Sequence, residues 1–344
     1  MADVQKHFES FHEKIKLNKF DENQTLREKR DRVLSKLKSR LKTIFEEKGK
    51  PVPAYDTFDQ GSYKMGTGIV PVDNDFDIDV GVSFKIKKDD YSDPVEVKEW
   101  VYDALNGHTK KVEMRRPCVT VFYQKDDEPV YHVDLAVYSD ESCNSDGKKY
   151  LAKGKLNSSS ENKFWEISDP QGLTEKVTQK YSGDDKSQFV RAIRYLKRWK
   201  DNNFSANGNE APIGIGLTIC AYNWFVPNKT LTDALANKYT YNDLQATRSV
   251  VNGMQNNFGD RLKVYSPVEP YSELFGKMTD SQMSTFKEKL TNLMEALDSA
   301  IDEVDPVKAC EILKKVFGDD FPVPEKPDTG EKKSAAIATA SASA

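Results

Sequence analysis

Apolar residues recur at three- and four-residue spacing across residues 21–48, at Leu26, Val33, Leu34, Leu37, Leu41, Ile44 and Phe45. That period predicts a long amphipathic helix, with Gly49 as its stop and the Pro51-Val52-Pro53 run as a break. Alternating or continuous apolar runs then predict strands over 76–84, 118–124 and 130–138. The last two flank Asp126-Asp127-Glu128-Pro129, which reads as a hairpin connection. Between the first two, Val97, Val101 and Leu105 give residues 93–105 a helical period. Beyond about residue 160 the pattern becomes helical throughout, over 187–200, 212–225, 283–301 and 306–317, with Pro212 suited to the first turn of its helix. The pattern therefore predicts a small mixed α/β lobe followed by a helical lobe, with a cleft between them. Residues 326–344 hold almost no large apolar side chain and end AAIATASASA, which predicts a flexible tail.

Composition narrows the class. The 344 residues are 38% hydrophobic and 31% charged, enough for a sizeable core in a polar protein. No run approaches the ~18–20 apolar residues of a membrane span, and the first residues lack the apolar centre of a signal peptide, so the expectation is a cytoplasmic protein with no membrane partner. A net charge of −4 argues against a constitutive nucleic-acid binder. The four cysteines and four histidines are dispersed, without zinc-ligand spacing, and disulfides are not expected.

Candidate chemistry centres on two short motifs. Gly61-Ser62 opens GSYKMGTG, and fourteen residues later Asp77-Ile78-Asp79 lies within DFDIDVGV. Glycine lets backbone approach a phosphate closely, and N–H groups with a serine hydroxyl can donate to its oxygens. On a strand Asp77 and Asp79 share one face, which Asp75 and Asp73 join if the strand begins earlier. Paired carboxylates repel one another unless a cation bridges them, and Mg²⁺ suits carboxylates combined with a triphosphate. The bland alternatives are a solvated edge strand or a calcium-like acidic loop for the aspartates, and one of many Gly-Ser turns for Gly61-Ser62. A third carboxylate, Asp134 in YHVDLAV, stands mid-strand where Asp is disfavoured, so it calls for a partner. Placed on a neighbouring strand it would complete a site for two metal ions; otherwise it is a hydrogen-bonded hairpin carboxylate. Finally, SQFVRAIRYLKRWK carries Arg191, Arg194, Lys197 and Arg198 on an amphipathic helix. Such a stripe is ordinarily a solvated face, but here it stands at the start of the helical lobe, where a triphosphate needs cations.

The order Gly-Ser, Asp-x-Asp, a single strand Asp in Val-Asp-Leu and a helix with Leu-Lys-Arg-Trp resembles the polymerase-β-like nucleotidyltransferases. The GSY-x-x-x-T form, the long N-terminal helix and the L-K-x-W helix resemble the bacterial cGAS/DncV-like nucleotidyltransferases, relatives of the oligoadenylate synthetases. The resemblance implies an α+β chain. Residues 1–170 would form the nucleotidyltransferase core, a mixed sheet with helices, and residues 171–322 a helical lobe. The active site would lie in the cleft, and residues 323–344 would be a tail. It implies an enzyme that joins nucleoside triphosphates into a cyclic or linear oligonucleotide and releases pyrophosphate. Asp77 and Asp79 would bind two Mg²⁺ ions, for which Mn²⁺ can substitute. Asp134 would ligate the catalytic metal and help deprotonate the attacking hydroxyl. Gly61 and Ser62 would cradle the donor triphosphate and Lys197 would reach its β/γ-phosphates, with Arg194 and Arg198 as additional phosphate contacts. In that family the product activates an effector in defence against phage, and some relatives are regulated by a ubiquitin-transfer-like enzyme acting on the C-terminus. Without a Cys/His cluster, zinc-dependent DNA sensing is not implied. Pro212-Ile213-Gly214 stands where some relatives carry a Ser-Tyr pair, so no base-reading residue is carried over, and residues 68–74 form an insert that could be a lip over the site.

Two rival readings use the same residues. One is another polymerase-β-like nucleotidyltransferase, which extends RNA or modifies a protein or antibiotic. The other is an inactive binding relative, which the intact carboxylate set disfavours.

Overall fold

The fold is described from a computed structural model, over residues 2–325 except 18–19, 74, 126–127 and 206–209. The predicted tail, residue 74 of the insert and the first two residues of the predicted hairpin connection lie outside the described residues.

The chain opens with α1 (Gln5–Ile15) and the long α2 (Phe20–Glu47). The helical period of α2 is met by burial: Leu26, Val33, Leu37 and Leu41 are wholly enclosed. The helix ends at Glu47, two residues before Gly49, whose φ of +62° suits the left-handed turn out of a helix. Then come β1 (Tyr55–Asp59), the single-turn α3 (Gly61–Met65), β2 (Phe76–Phe84) and α4 (Pro94–Leu105), which Asp93 caps by accepting from the Val95 N–H. Strands β3 (Lys111–Met114), β4 (Val119–Lys125), β5 (Glu128–Ser139), β6 (Tyr150–Lys153) and β7 (Phe164–Ile167) complete the first sheet. The helical part comprises α5 (Pro170–Thr178), α6 (Gly183–Asn203) and α7 (Gly214–Trp224), then a hairpin of β8 (Lys229–Asp233) and β9 (Lys238–Tyr241), then α8 (Asp243–Asn256), α9 (Asp280–Asp302) and α10 (Pro306–Phe317).

The sheet order is β1-β2-β5-β4-β3, with β6 continuing from the end of β5 and β7 beyond it. Strands β2 and β5 run parallel while their other neighbours are antiparallel, so the sheet is mixed. One face of β2, with Phe76, Ile78, Val80, Val82 and Phe84, packs under α2 and α4. Period-two alternation then sends Asp77 and Asp79 to the opposite face.

A second core joins α6 to α10 around Tyr195, Trp199 and Phe286. It also takes in α1. Phe8 and Phe11 are fully buried against Tyr195, Phe317 and Phe321, and the Tyr195 hydroxyl donates to the Phe8 carbonyl. The residues of α1, which the resemblance places with the first lobe, therefore pack on the second.

Three further expectations change. Helix α7 begins at Gly214, so Pro212 precedes it rather than occupying its first turn. Glu128 and Pro129 belong to β5 rather than to a turn. The basic stripe of α6 is no solvated face: Arg194, Lys197 and Arg198 are all buried. Among the described residues no helix is long and apolar enough to cross a membrane.

Candidate active site

The site forms on the polar face of the sheet, where its order brings separate segments together. Parallel pairing sets Asp79 opposite Asp134 and Asp77 opposite His132. Antiparallel pairing of β4 sets Thr120 on the other side of Asp134, and its hydroxyl donates to Asp134 Oδ1. His132 Nδ1 lies 3.0 Å from Asp75 Oδ1, and its Nε2 lies 3.9 Å from Asp134 Oδ2. His132 was set aside in the sequence as a dispersed histidine, yet its place two residues before Asp134 puts it on the same face.

Above this face lies a cavity of about 580 Å³, within the range of small-molecule sites. Its walls come from both lobes: Gly61, Ser62, Asp77 and Asp79 on one side, Lys197 and Lys200 of α6 on the other. A segment of the helical lobe, including Ser266 and Glu269, closes it further. Asp134 is not among the lining residues; it sits in the sheet beside Asp79.

Gly61 is the N-terminal residue of α3 with φ +65°, and a Cβ there would come 1.9 Å from Asp79 Oδ2. The turn is closed at its other end by Gly66 at φ +67°, with the Thr67 N–H donating to the Ser62 carbonyl. Gln60, just before it, accepts from the Tyr138 hydroxyl at 2.9 Å. Neither Gln60 nor Tyr138 stood out in the sequence, since β5 alone does not reveal that its far end reaches the Gly-Ser turn.

The electrostatics follow from crowding. Asp77 opens onto the cavity but has protein on its remaining sides. Burial and the Asp134 charge raise its pKa, while His132 and Lys197 oppose the rise. Asp79 is pushed up to about 7 by burial, then by the charges of Asp77 and Asp134. Lys197 is brought down to about 8 by burial, against the attraction of Asp77. Its Nζ donates to the carbonyl and hydroxyl of Thr67 at 3.1 and 3.3 Å. Thr67 is the Thr of the GSY-x-x-x-T run, so the α6 lysine and the phosphate-type turn are directly joined.

Arg194 and Arg198 are placed differently from their expected role. Arg194 donates to the Gly66 and Gly68 carbonyls at 2.8 and 3.1 Å and faces His12 Nε2 at 3.2 Å. Arg198 donates to the Val70 carbonyl at 2.7 Å and pairs with Asp320. Neither lines the cavity. They clamp the first half of the 68–74 insert, which is thereby a strut between α1 and α6 rather than a free lip; the Val70 N–H also donates to the Ile15 carbonyl. Arg191 is held in a two-point ion pair with Asp243.

The donor set suits a hard divalent cation: two carboxylates that destabilise each other's charge, with a third beside them. Among the described residues no three His, Cys, Asp or Glu side chains are drawn together tightly enough to hold an ion unaided. Mg²⁺ commonly takes one or two carboxylates and completes its shell with water and substrate phosphate, so the residues fit that mode.

Mixed sheet, Gly-Ser turn, Asp-x-Asp and adjoining helical lobe together define the polymerase-β-like nucleotidyltransferase fold. Residues 56–138 match the model of the "Cyclic GMP-AMP synthase DncV-like, nucleotidyltransferase domain" family. A cyclic GMP-AMP synthase of Escherichia albertii is 30% identical over 159 residues, covering 43% of this chain and 32% of that relative. The chain thus spans 32% of the length of the curated relative it matches. The Vibrio cholerae DncV cyclic AMP-GMP synthase superposes with a TM-score of 0.71 at 16% identity, over 94% of this chain and 98% of that one. The Bradyrhizobium diazoefficiens CD-NTase CdnG, solved with GTP, gives 0.68 at 12% identity over 92% and 96%. The Escherichia coli CdnC, solved with ATP, gives 0.64 at 16% over 92% and 98%. At these identities the superpositions establish shared architecture.

Proposed function

We propose that this chain is a nucleotidyltransferase that condenses nucleoside triphosphates into a cyclic di- or trinucleotide and releases pyrophosphate. The observation that carries the reading is the meeting of Gly61-Ser62, Asp77, Asp79 and Lys197 at one cavity between the lobes. The E. albertii and V. cholerae relatives are named as cyclic dinucleotide synthases, and related structures hold GTP or ATP.

In this mechanism the Gly61 turn and the Ser62 hydroxyl hold the donor triphosphate, and the Lys197 ammonium balances its outer phosphates. A ribose hydroxyl of the acceptor nucleotide forms a bond to the donor α-phosphorus as the bond to the β-phosphate oxygen breaks. Asp134 takes the hydroxyl proton at Oδ2, since Oδ1 is engaged by Thr120. Two Mg²⁺ or Mn²⁺ ions held at Asp77, Asp79 and Asp134 would acidify that hydroxyl and offset charge on the leaving pyrophosphate. The linear product turns in the cavity and repeats the transfer on itself to close the ring.

The biological reading is a cytoplasmic second-messenger synthase in anti-phage signalling. The product activates an effector protein, and a ubiquitin-transfer-like regulator acts on the C-terminus. The direct test supplies the purified chain with all four NTPs and Mg²⁺ or Mn²⁺, without an acceptor. The expected result is a phosphatase-resistant product with a cyclic-oligonucleotide mass. Turnover only after RNA or protein is added would assign the chain to the tailing or protein-modifying branch instead.

A further inference from the structure

In the first lobe β1 stands at the end of the sheet order, as an edge strand. Its partner on one side is β2, and among the described residues nothing pairs with its other edge. The antiparallel bonds from Lys85 N–H to the Ala54 carbonyl and from Gln60 N–H to the Asp79 carbonyl fix which residues face β2. With the observed register, the even-numbered residues 54–60 bond inward. The backbone groups of Tyr55, Thr57 and Asp59 therefore point outward. The outward N–H and C=O groups of Tyr55 and Thr57 have no hydrogen-bond partner among the described residues.

This edge does not face open water. It forms one wall of a groove of about 780 Å³ whose other wall is α2, through Leu34, Ser35, Lys38 and Lys42. Val52 and Pro53 supply more apolar surface at one end. At the other end Arg30 of α2 closes on Asp59 at 2.7 Å, so the groove stops at Thr57. Lys38 has no ion-pair partner among the described residues, and Lys42 has only an exposed contact with Glu46 at 3.7 Å. The groove thus offers unsatisfied strand hydrogen bonds, apolar pockets for alternate side chains and two cations along its rim. The first two are the elements of peptide recognition by strand addition, and the cations add a preference for charge. In a chain of net charge −4, a surface whose free charges are positive selects for acid.

We propose that this groove is a docking site for an extended acidic segment of a partner protein, which adds to β1 as a new strand and sets its carboxylates on Lys38 and Lys42. The inference does not depend on the reaction at the cavity, because no residue of the groove lines it.

The test pans a phage-displayed random dodecapeptide library against the immobilised full chain, and the enriched peptides are then synthesised with a fluorescent label. The expected peptides alternate Asp or Glu with β-branched residues. Lys38→Glu with Lys42→Glu should weaken them by about tenfold or more, equivalent to at least ~1.4 kcal/mol. N-methylation of alternate peptide amides should abolish binding, since it removes strand hydrogen bonds while leaving the side chains. Thr57→Pro should act likewise, because its N–H faces the groove and its loss leaves the β2 ladder intact. NTP turnover of the lysine variant should equal that of the wild type. Failure to enrich any peptide, or equal binding of N-methylated peptides, would overturn the proposal. So would a lysine variant that loses affinity for a labelled duplex DNA but keeps its affinity for the peptides.

Discussion

A Cβ at position 61 would sit 1.9 Å from Oδ2 of Asp79, so the glycine of the phosphate-type turn and the second carboxylate of Asp-x-Asp are packed as one unit. The two motifs lie on consecutive elements, β2 and the α3 turn, with the insert between them. Glycine is required at 61 twice over, by its φ of +65° and by this approach. Gly61→Ala should keep the fold and move the Asp79 carboxylate by about 1 Å. A displacement of that size at a reacting centre costs on the order of 10²-fold in rate. Turnover measured beside circular dichroism checks this. Activity within a factor of two of wild type would mean that Asp79 need not stay against the turn.

Asp79 also makes a pH prediction. Its folded-state pKa, about 7, lies above its ordinary 3.8, so the folded chain keeps a proton that the unfolded chain releases. The stability this represents is fully present below about pH 4 and is lost as pH rises through 7. Asp79→Asn removes the repulsion. In metal-free buffer its Tm should exceed that of the wild type by about 2 °C more at pH 8 than at pH 5. Parallel melting curves across that range would count against the crowding. The double variant Asp77→Ala, Asp79→Ala should melt no lower than wild type at pH 8 while losing turnover; retained synthesis would refute the metal assignment.

Lys197 should affect the donor triphosphate. Its Nζ is tied to Thr67 and stands at the cavity wall facing Asp77. Lys197→Ala should raise the KM of the donor nucleotide more than that of the acceptor. Because burial holds the ammonium near 8, donor use by the wild type should fall above pH 8. Equal losses for both nucleotides would indicate that Lys197 only braces the turn.

Arg194 should behave as a structural residue. It satisfies two buried carbonyls of the 66–68 segment and faces His12, whose pKa is lowered to about 4 by burial and then by Arg194 itself. Arg194→Ala leaves those carbonyls unpaired, and about 2–4 kcal/mol of stability should go with them. Urea unfolding reads this. The accompanying loss of activity should lie in kcat, whereas a direct phosphate contact would place it in the donor KM.

Much of the first lobe was legible because periodicity and burial agree there. Leu26, Val33, Leu37 and Leu41 mark α2, and the alternation of β2 puts Asp77 and Asp79 on one face whatever surrounds it. Helix α1 was not legible, since eleven residues with two phenylalanines give a weak signal until Tyr195, Phe317 and Phe321 are known to surround them. The exposed hairpin β8–β9 and the short β6 and β7 escaped for a related reason: four or five residues carry too little pattern to separate strand from loop. The basic stripe of α6 misled because charge spacing does not say whether a cation meets solvent, a phosphate or a carbonyl. Arg194 and Arg198 met carbonyls of the insert, and Arg191 met Asp243.

The sequence by itself determined the mixed lobe followed by helices and the chemical types at the site, because periodicity and residue chemistry are local properties. Tertiary structure alone decided that Asp134 stands beside Asp79 while also accepting from its hairpin neighbour Thr120, that His132 and Tyr138 join the site, and that Lys197 closes on Thr67. Those pairings span up to 130 positions, and sheet order and lobe packing set them. The free edge of β1 belongs to the same class of fact. A strand's sequence shows which side chains share a face, while whether its outward N–H groups find a partner depends on what the rest of the chain lays beside it.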